Sequence, residues 1–169
     1  MEVPNDFFDG DVLEIAPKLL GKILVRRFED GSKLQFRITE VEAYRGEEDL
    51  ACHASKGRTE RTETMYMQAG TIYVYLIYGM YWMLNIVTAS KDIPQAILIR
   101  GIESYNGPGK ITKKLQIDKS FNKKNIFTNK YLFLEDDGFI AKYEAHKRIG
   151  IEYAGEVWKN KLWRFKMNN

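Results

Sequence analysis

Apolar residues recur at helical spacing through DVLEIAPKLLG (Asp11 to Gly21), with Asp11 placed to cap the start and Gly21 to stop the end. Pro17 falls inside that stretch, where its missing N–H predicts a kink or the start of a second turn. The period then drops to two. KILVRRF, the turn EDGS and KLQFRITEVEAY read as a β-hairpin, and the polar RGEEDLACHASKGRTERTET reads as a structured loop. TIYVYLIYGMYWMLNIV reads as strand, turn at Tyr78-Gly79, and strand; QAILIRGIE is a further short buried strand. YNGPGKITKKLQI is a turn feeding a helix, and the regions NIFTNKYLFLEDD and GEVWKNKLWRFK supply the last strands. No repeat, linker or low-complexity tract interrupts residues 1–169. The pattern predicts one α+β domain: a curved, mostly antiparallel sheet with peripheral helices and a protruding hairpin.

The composition suits that reading, since 29% charged and 44% hydrophobic residues over 169 are ordinary for a globular domain and argue against disorder. The net charge of +3 is unevenly spread: residues 110–169 hold fourteen Lys/Arg against seven Asp/Glu, which leaves the first 109 net acidic. A basic second half suits a polyanionic partner, or is simply a set of solvated lysines. The single Cys52 excludes an intramolecular disulfide and suggests a reducing compartment. With only two histidines, far apart, a Cys/His zinc site is not available, and no metal is expected. The acidic opening MEVPNDFFDG is not a signal peptide. Met65 to Ser90 carries no charge and is long enough to span a bilayer, but its tyrosines, Gln68, Asn85 and glycines suit a buried hairpin better. No membrane partner is expected.

Candidate chemistry gathers in ITEVEAYRGEEDLACHA (Ile38 to Ala54), where strand alternation points Ile38, Glu40, Glu42 and Tyr44 to one side, a few residues before His53. That face is either solvated or a catalytic floor. At the hairpin tip Tyr78, Met80 and Tyr81 flank Gly79, where a turn is ordinarily polar. Such residues either fold back into the core or form a wedge that fills the gap left when a nucleotide leaves a base stack. Tyr44, His53 and Tyr75 offer flat, electron-rich walls that favour a cationic alkylated purine over a neutral one; each taken alone also suits core packing. NGPGK (Asn106 to Lys110) opens a helix, so Gly109 and Lys110 contact a phosphate or merely start the helix; it is not a Walker A loop, because Ser104 and Ile111 stand at the wrong places.

Taken together and in this order, LLGKILVRR, ITEVEAYRGEEDLACHA, GTIYVYLIYGMYWMLN, ILIRGIE, NGPGK and RIGIEYAGE closely resemble the alkyladenine (3-methyladenine, methylpurine) DNA glycosylases, from about Phe7 to Phe165. The resemblance implies a monofunctional glycosylase, a monomer without metal or other cofactor, acting on double-stranded DNA that contains alkylated or deaminated purines and initiating base excision repair. The compartment implied is the cytoplasm, at the nucleoid in a prokaryote, or the nucleus in a eukaryote. By matching positions it implies that Glu42 is the general base for water attacking C1′ of the flipped nucleotide and that Glu40 is structural. Tyr44 and His53 would sandwich the base, with Tyr75 opposite. Asn85 would discourage normal guanine, Arg100 would hold the water and Glu42, and Ile149 would line the base pocket. Tyr78 would intercalate, with Met80 beside it at the tip.

Such a mechanism needs the Glu42 carboxylate open to a cleft beneath the sugar. A base methylated at N3 or N7 leaves readily, whereas neutral lesions need leaving-group help for which His53 is the sole side-chain candidate. The chain departs from the family at RTERTET (Arg58 to Thr64), where Glu60, Thr62 and Glu63 stand in a segment that usually reads near R-T-P-R-N-R, and at Ala69, where proline is common. It is also shorter than most members. Carboxylates near the DNA surface weaken phosphate affinity. A reading of another class is a non-catalytic damaged-DNA-binding module that keeps the wedge and the basic half.

Overall fold

The computed structural model describes residues 1–169. Helix α1 (Val12–Leu19) is capped by Asp11, whose side chain accepts from the Leu13 amide. Gly21 follows the helix at φ +87°, a left-handed conformation that suits glycine. Pro17 starts no second helix: it lies inside α1, which runs two residues past it. This near to the end, the proline ring removes only one ladder bond.

Nine strands form one sheet: β1 (Ile23–Arg27), β2 (Lys33–Arg45), β3 (Ile72–Ile77), β4 (Tyr81–Thr88), β5 (Gln95–Ile102), β6 (Tyr105–Asn106), β7 (Leu132–Glu135), β8 (Tyr143–His146) and β9 (Arg164–Met167). Two further helices complete the chain, α2 (Pro108–Leu115) and α3 (Gly155–Lys159). Every pairing is antiparallel, in the order β3-β4-β5-β2-β1-β7, with β6 beside β5 and the β8–β9 pair joined to β2. Two expectations for the C-terminal third need correction. Gly155–Lys159 is helical rather than a strand, and Tyr143–His146 forms a strand that the pattern did not reveal. Both elements are mostly exposed, so neither carries a full apolar stripe.

Strand β2 organises the sheet. Its start pairs with β1, its later part with β5, and Glu40–Glu42 pair with β9 on the opposite edge. The β2–β5 register shifts twice between Ile38 and Val41, the mark of β-bulges, which bend a strand and re-aim its side chains. Ile38 therefore joins Val41 and Ala43 in the main core instead of sharing a face with Glu42 and Tyr44. That core lies between the sheet and the helices α1 and α2, and takes Ile72 and Val74 from β3, Leu84 and Ile86 from β4, and Ile97 and Ile99 from β5.

The alternate residues of the same strands face the other way: Tyr73, Tyr75, Met83, Asn85, Leu98 and Arg100. A second, smaller cluster around Cys52, Met65 and Tyr66 packs over part of that face. Two covered faces explain why most of Met65 to Ser90 lacks charge; the tip from Leu76 to Tyr81, largely exposed, is uncharged without being desolvated. No helix is long and apolar enough to cross a membrane.

Candidate active site

The second face of β2–β5 floors a cleft of about 380 Å³. Tyr44, His53, Tyr75, Asn85, Arg100 and Ile149 all line it, and Tyr78 stands at its rim. Residues separated by as many as 105 positions in the chain are thus gathered by strand alternation and by two loops, one carrying His53 and one carrying Ile149.

Glu42 is absent from the lining. Its side chain has 0% exposure, so the open carboxylate expected from the sequence is instead one side-chain layer behind the wall. Three donors hold it there. Tyr44 Oη donates to Oε1 at 3.0 Å, Arg100 Nη1 to Oε1 at 3.3 Å, and the Ile149 amide to Oε2 at 2.7 Å. All three donors belong to cleft residues. Burial raises the Glu42 pKa above the ordinary carboxylate value, opposed by Arg100, the Ile149 amide, Tyr44 and Arg148. A buried carboxylate left with net desolvation is a stronger base than one in water. Glu40 differs: it is also buried, but it pairs with Arg164 at 2.7 Å on the β9 edge.

The aromatic walls interlock. His53 and Tyr75 meet edge to face with centroids 4.5 Å apart, and His53 Nδ1 lies 3.1 Å from Tyr73 Oη. Burial, then Arg61 and Lys56, lower the His53 pKa to about 4, so the imidazole is neutral at physiological pH. Burial pushes the Tyr73 phenol up to about 12, which keeps it a neutral hydroxyl. Asn85 is buried and uses its amide nitrogen to donate to the Tyr73 and Met83 carbonyls, at 3.2 and 3.4 Å.

The hairpin tip points outward. Tyr78 is 82% exposed and Met80 64% exposed, so neither folds back into the core. Tyr78 and Gly79 both have positive φ, 55° and 67°, which suits a tight turn between twisted strands but strains the tyrosine. Lys110 is exposed on α2, whereas Gly109 abuts the hairpin: a Cβ there would meet Tyr81 Cδ1 at 2.8 Å. Thr112 Oγ1 donates to the Trp82 carbonyl at 2.8 Å, a second tie from α2 to the base of the tip. Gly109 thus has a packing reason of its own, whatever a phosphate does there.

The methylpurine-DNA glycosylase (MPG) family profile matches residues 6–106 and 103–169, which together span nearly the whole chain. The chain belongs to the methylpurine-DNA glycosylase family. Among its relatives, a protein of Borrelia garinii subsp. bavariensis named "Putative 3-methyladenine DNA glycosylase" is 46% identical over 94% of this chain and 92% of its own length. Proteins with the same name from Clostridium perfringens and Methanocella arvoryzae are 42% and 41% identical, covering 98% and 99% of this chain and 95% and 92% of theirs. As a member of this family the protein is an N-glycosyl hydrolase acting in DNA repair.

The glycosylase holds its unusual Arg58–Thr64 loop by internal pairing. Arg58 makes a two-pronged contact to Glu63 at 2.8 and 2.9 Å, reaches Asp92 at 3.1 Å, and lies over the Tyr66 ring. The carboxylate at Glu63 therefore neutralises a neighbouring arginine as well as adding negative charge. Two charged residues of the glycosylase escaped the sequence reading altogether. Asp49 and Arg148 form an ion pair with 0% exposure on both sides, behind the cleft wall. Nothing in a pattern of periods marks two residues 99 positions apart as partners. Arg61 was likewise missed, with its guanidinium 5.1 Å from the Tyr75 ring centre.

Proposed function

We propose that this glycosylase everts alkylated or deaminated purines, of the 3-methyladenine, 7-methylguanine, hypoxanthine and ethenoadenine class, from double-stranded DNA. It then hydrolyses the N-glycosidic bond with a water activated by Glu42. The observation that carries the reading is the setting of that carboxylate: each of its three hydrogen-bond partners is a wall residue of one aromatic cleft.

The chemistry follows from the setting. Cleavage develops positive charge on the sugar, which a carboxylate close to C1′ stabilises while it accepts a proton from water. The Arg100 contact, at 3.3 Å, is the longest of the three and involves a side chain that is itself 16% exposed. Displacing it opens a path from the cleft to Oε1, and the freed guanidinium then orients the water.

His53 and Tyr75 touch edge to face with centres 4.5 Å apart, too close to admit a base between them, so the two form one wall and the everted base lies between that wall and Tyr44. A cationic purine gains about 0.5–2 kcal/mol from such faces when desolvated. It departs as a neutral base without acid help. His53, with its pKa near 4, is no imidazolium acid at neutral pH and offers a neutral base only a hydrogen bond. Cationic lesions should therefore be released faster than hypoxanthine. Tyr78, exposed at the rim, fills the vacated place in the stack.

One observation favours the other reading, a damaged-DNA-binding module without chemistry: Glu42 has no exposure in the free protein. A single experiment separates the two. Duplex oligonucleotides carrying each lesion are incubated with the protein and with Glu42→Gln, and abasic sites are scored. Release by the wild type alone supports the enzyme; tight binding without release by either supports the module.

A further inference from the structure

The buried pair Asp49–Arg148 is used by no step above, yet it touches both ends of the candidate machinery. Arg148 Nη1 donates to Asp49 Oδ2 at 2.6 Å and to the Ala43 carbonyl at 3.0 Å. Its Nη2 donates to Asp49 Oδ1 at 2.9 Å and to the Trp158 carbonyl at 3.4 Å. The guanidinium lies as a plate between the rings of Tyr44 and Trp163, each centre 4.9 Å away. Its Nε has no partner at all. Asp49 is equally committed, accepting from the Arg45 and Ala51 amides at 3.0 Å each.

Stability does not account for such a pair, because buried ion pairs are often no better than apolar residues of the same volume. Position does. Arg148 immediately precedes Ile149, whose amide grips Glu42, and it backs the ring of Tyr44, whose hydroxyl grips the same carboxylate. Ala43, which it also holds, lies between Glu42 and Tyr44 in the chain.

We propose that Arg148, clamped by Asp49, is the positioning residue of the active site: it fixes the Ile149 amide and the Tyr44 ring against Glu42 from behind the cleft wall. The proposal rests on the reading of Glu42 as the base. Its charge acts as well as its shape. The groups facing Glu42 are Arg100 on β5, Tyr44 on β2, Tyr75 on β3, and Tyr153 and the Ile149 amide on the segment that follows Arg148. Arg148 is one of the cations that favour the ionised carboxylate among them.

The test measures single-turnover release of 7-methylguanine from duplex DNA against pH, together with affinity for the same duplex. Arg148→Lys keeps the charge and loses the fork. It should slow release about ten- to a hundred-fold, as misplaced reacting groups do, while leaving the acid limb of the pH profile where it is. Arg148→Met paired with Asp49→Asn removes both charges without leaving either unpaired, and the asparagine oxygen still accepts from a backbone amide that Asp49 serves. That double variant should slow release similarly and move the acid limb to higher pH, with duplex affinity within about two-fold of wild type. A double variant that folds and keeps both the wild-type rate and acid limb overturns the proposal alone. A wild-type protein that releases no base, or a Glu42→Gln variant that releases it normally, overturns the underlying reading instead.

Discussion

Replacing Tyr78 with asparagine separates folding from function at one position. The tyrosine sits at φ 55°, where a bulky L-residue costs roughly 1–2 kcal/mol, and asparagine recovers part of that because its short side chain tolerates the left-handed region. Little packing is lost in exchange. Full burial of a large apolar side chain contributes roughly 1.5–3 kcal/mol. With Tyr78 82% exposed, only about a fifth of that is at stake. Tyr78→Asn should therefore be as stable as wild type or up to about 1 kcal/mol more stable, a rise of at most about 2–4 °C in Tm for a chain of this size. Activity should move the opposite way. Aromatic stacking on a base is worth about 1–3 kcal/mol, which is roughly 5- to 150-fold in duplex turnover. Single-stranded substrate has no gap to fill, so its turnover should change by less than about three-fold. The assay compares abasic-site formation on matched single- and double-stranded oligonucleotides, beside thermal melting. Equal losses on both substrates would refute the wedge, and a variant melting well below wild type would refute the strain argument.

Other outcomes follow from the same geometry. Glu42→Gln should lower base release by at least about a hundred-fold while keeping affinity for damaged duplex. Because the folded-state pKa of Glu42 is raised, its ionised form opposes folding; the variant should melt no lower than wild type at pH 7–8, and any advantage should vanish as pH falls toward 4.5. A markedly lower Tm at neutral pH would mean that the three donors outweigh desolvation. His53, with its pKa lowered from 6.5 to about 4, contributes stability that is present above pH 6.5 and lost as pH falls through 4. An NMR titration should find its imidazole still neutral at pH 6, and a titration midpoint near 6.5 would contradict the burial. Glu63→Gln should free Arg58 from its pair and steepen the dependence of log K on log salt by about one unit; an unchanged slope would put Arg58 away from the phosphates.

The local patterns carried much of the fold. The Asp11 cap and the Gly21 stop, the β1–β2 hairpin, the turn at Tyr78-Gly79 and the helix after Asn106-Gly107-Pro108 all depend on residues within a few positions of one another. Outside the exposed hairpin tip, the uncharged run from Met65 to Ser90 recorded burial on two faces, and the E-x-E-A-Y and Y-V-Y-L-I-Y-G-M-Y motifs marked the family. Tertiary structure decided the rest. Bulges between Ile38 and Val41 turned Ile38 away from the face that alternation assigned it, because β2 must serve both β1 and β5 as the sheet curls. An aromatic hairpin tip can fold inward or stand clear, and the packing of this hairpin leaves Tyr78 clear. Packing also withdrew Glu42 from solvent behind its three donors and drew Asp49 to Arg148 across 99 residues. Periodicity reports which side of its own element a residue faces, whereas desolvation and ion pairing depend on what a distant part of the chain brings to that side.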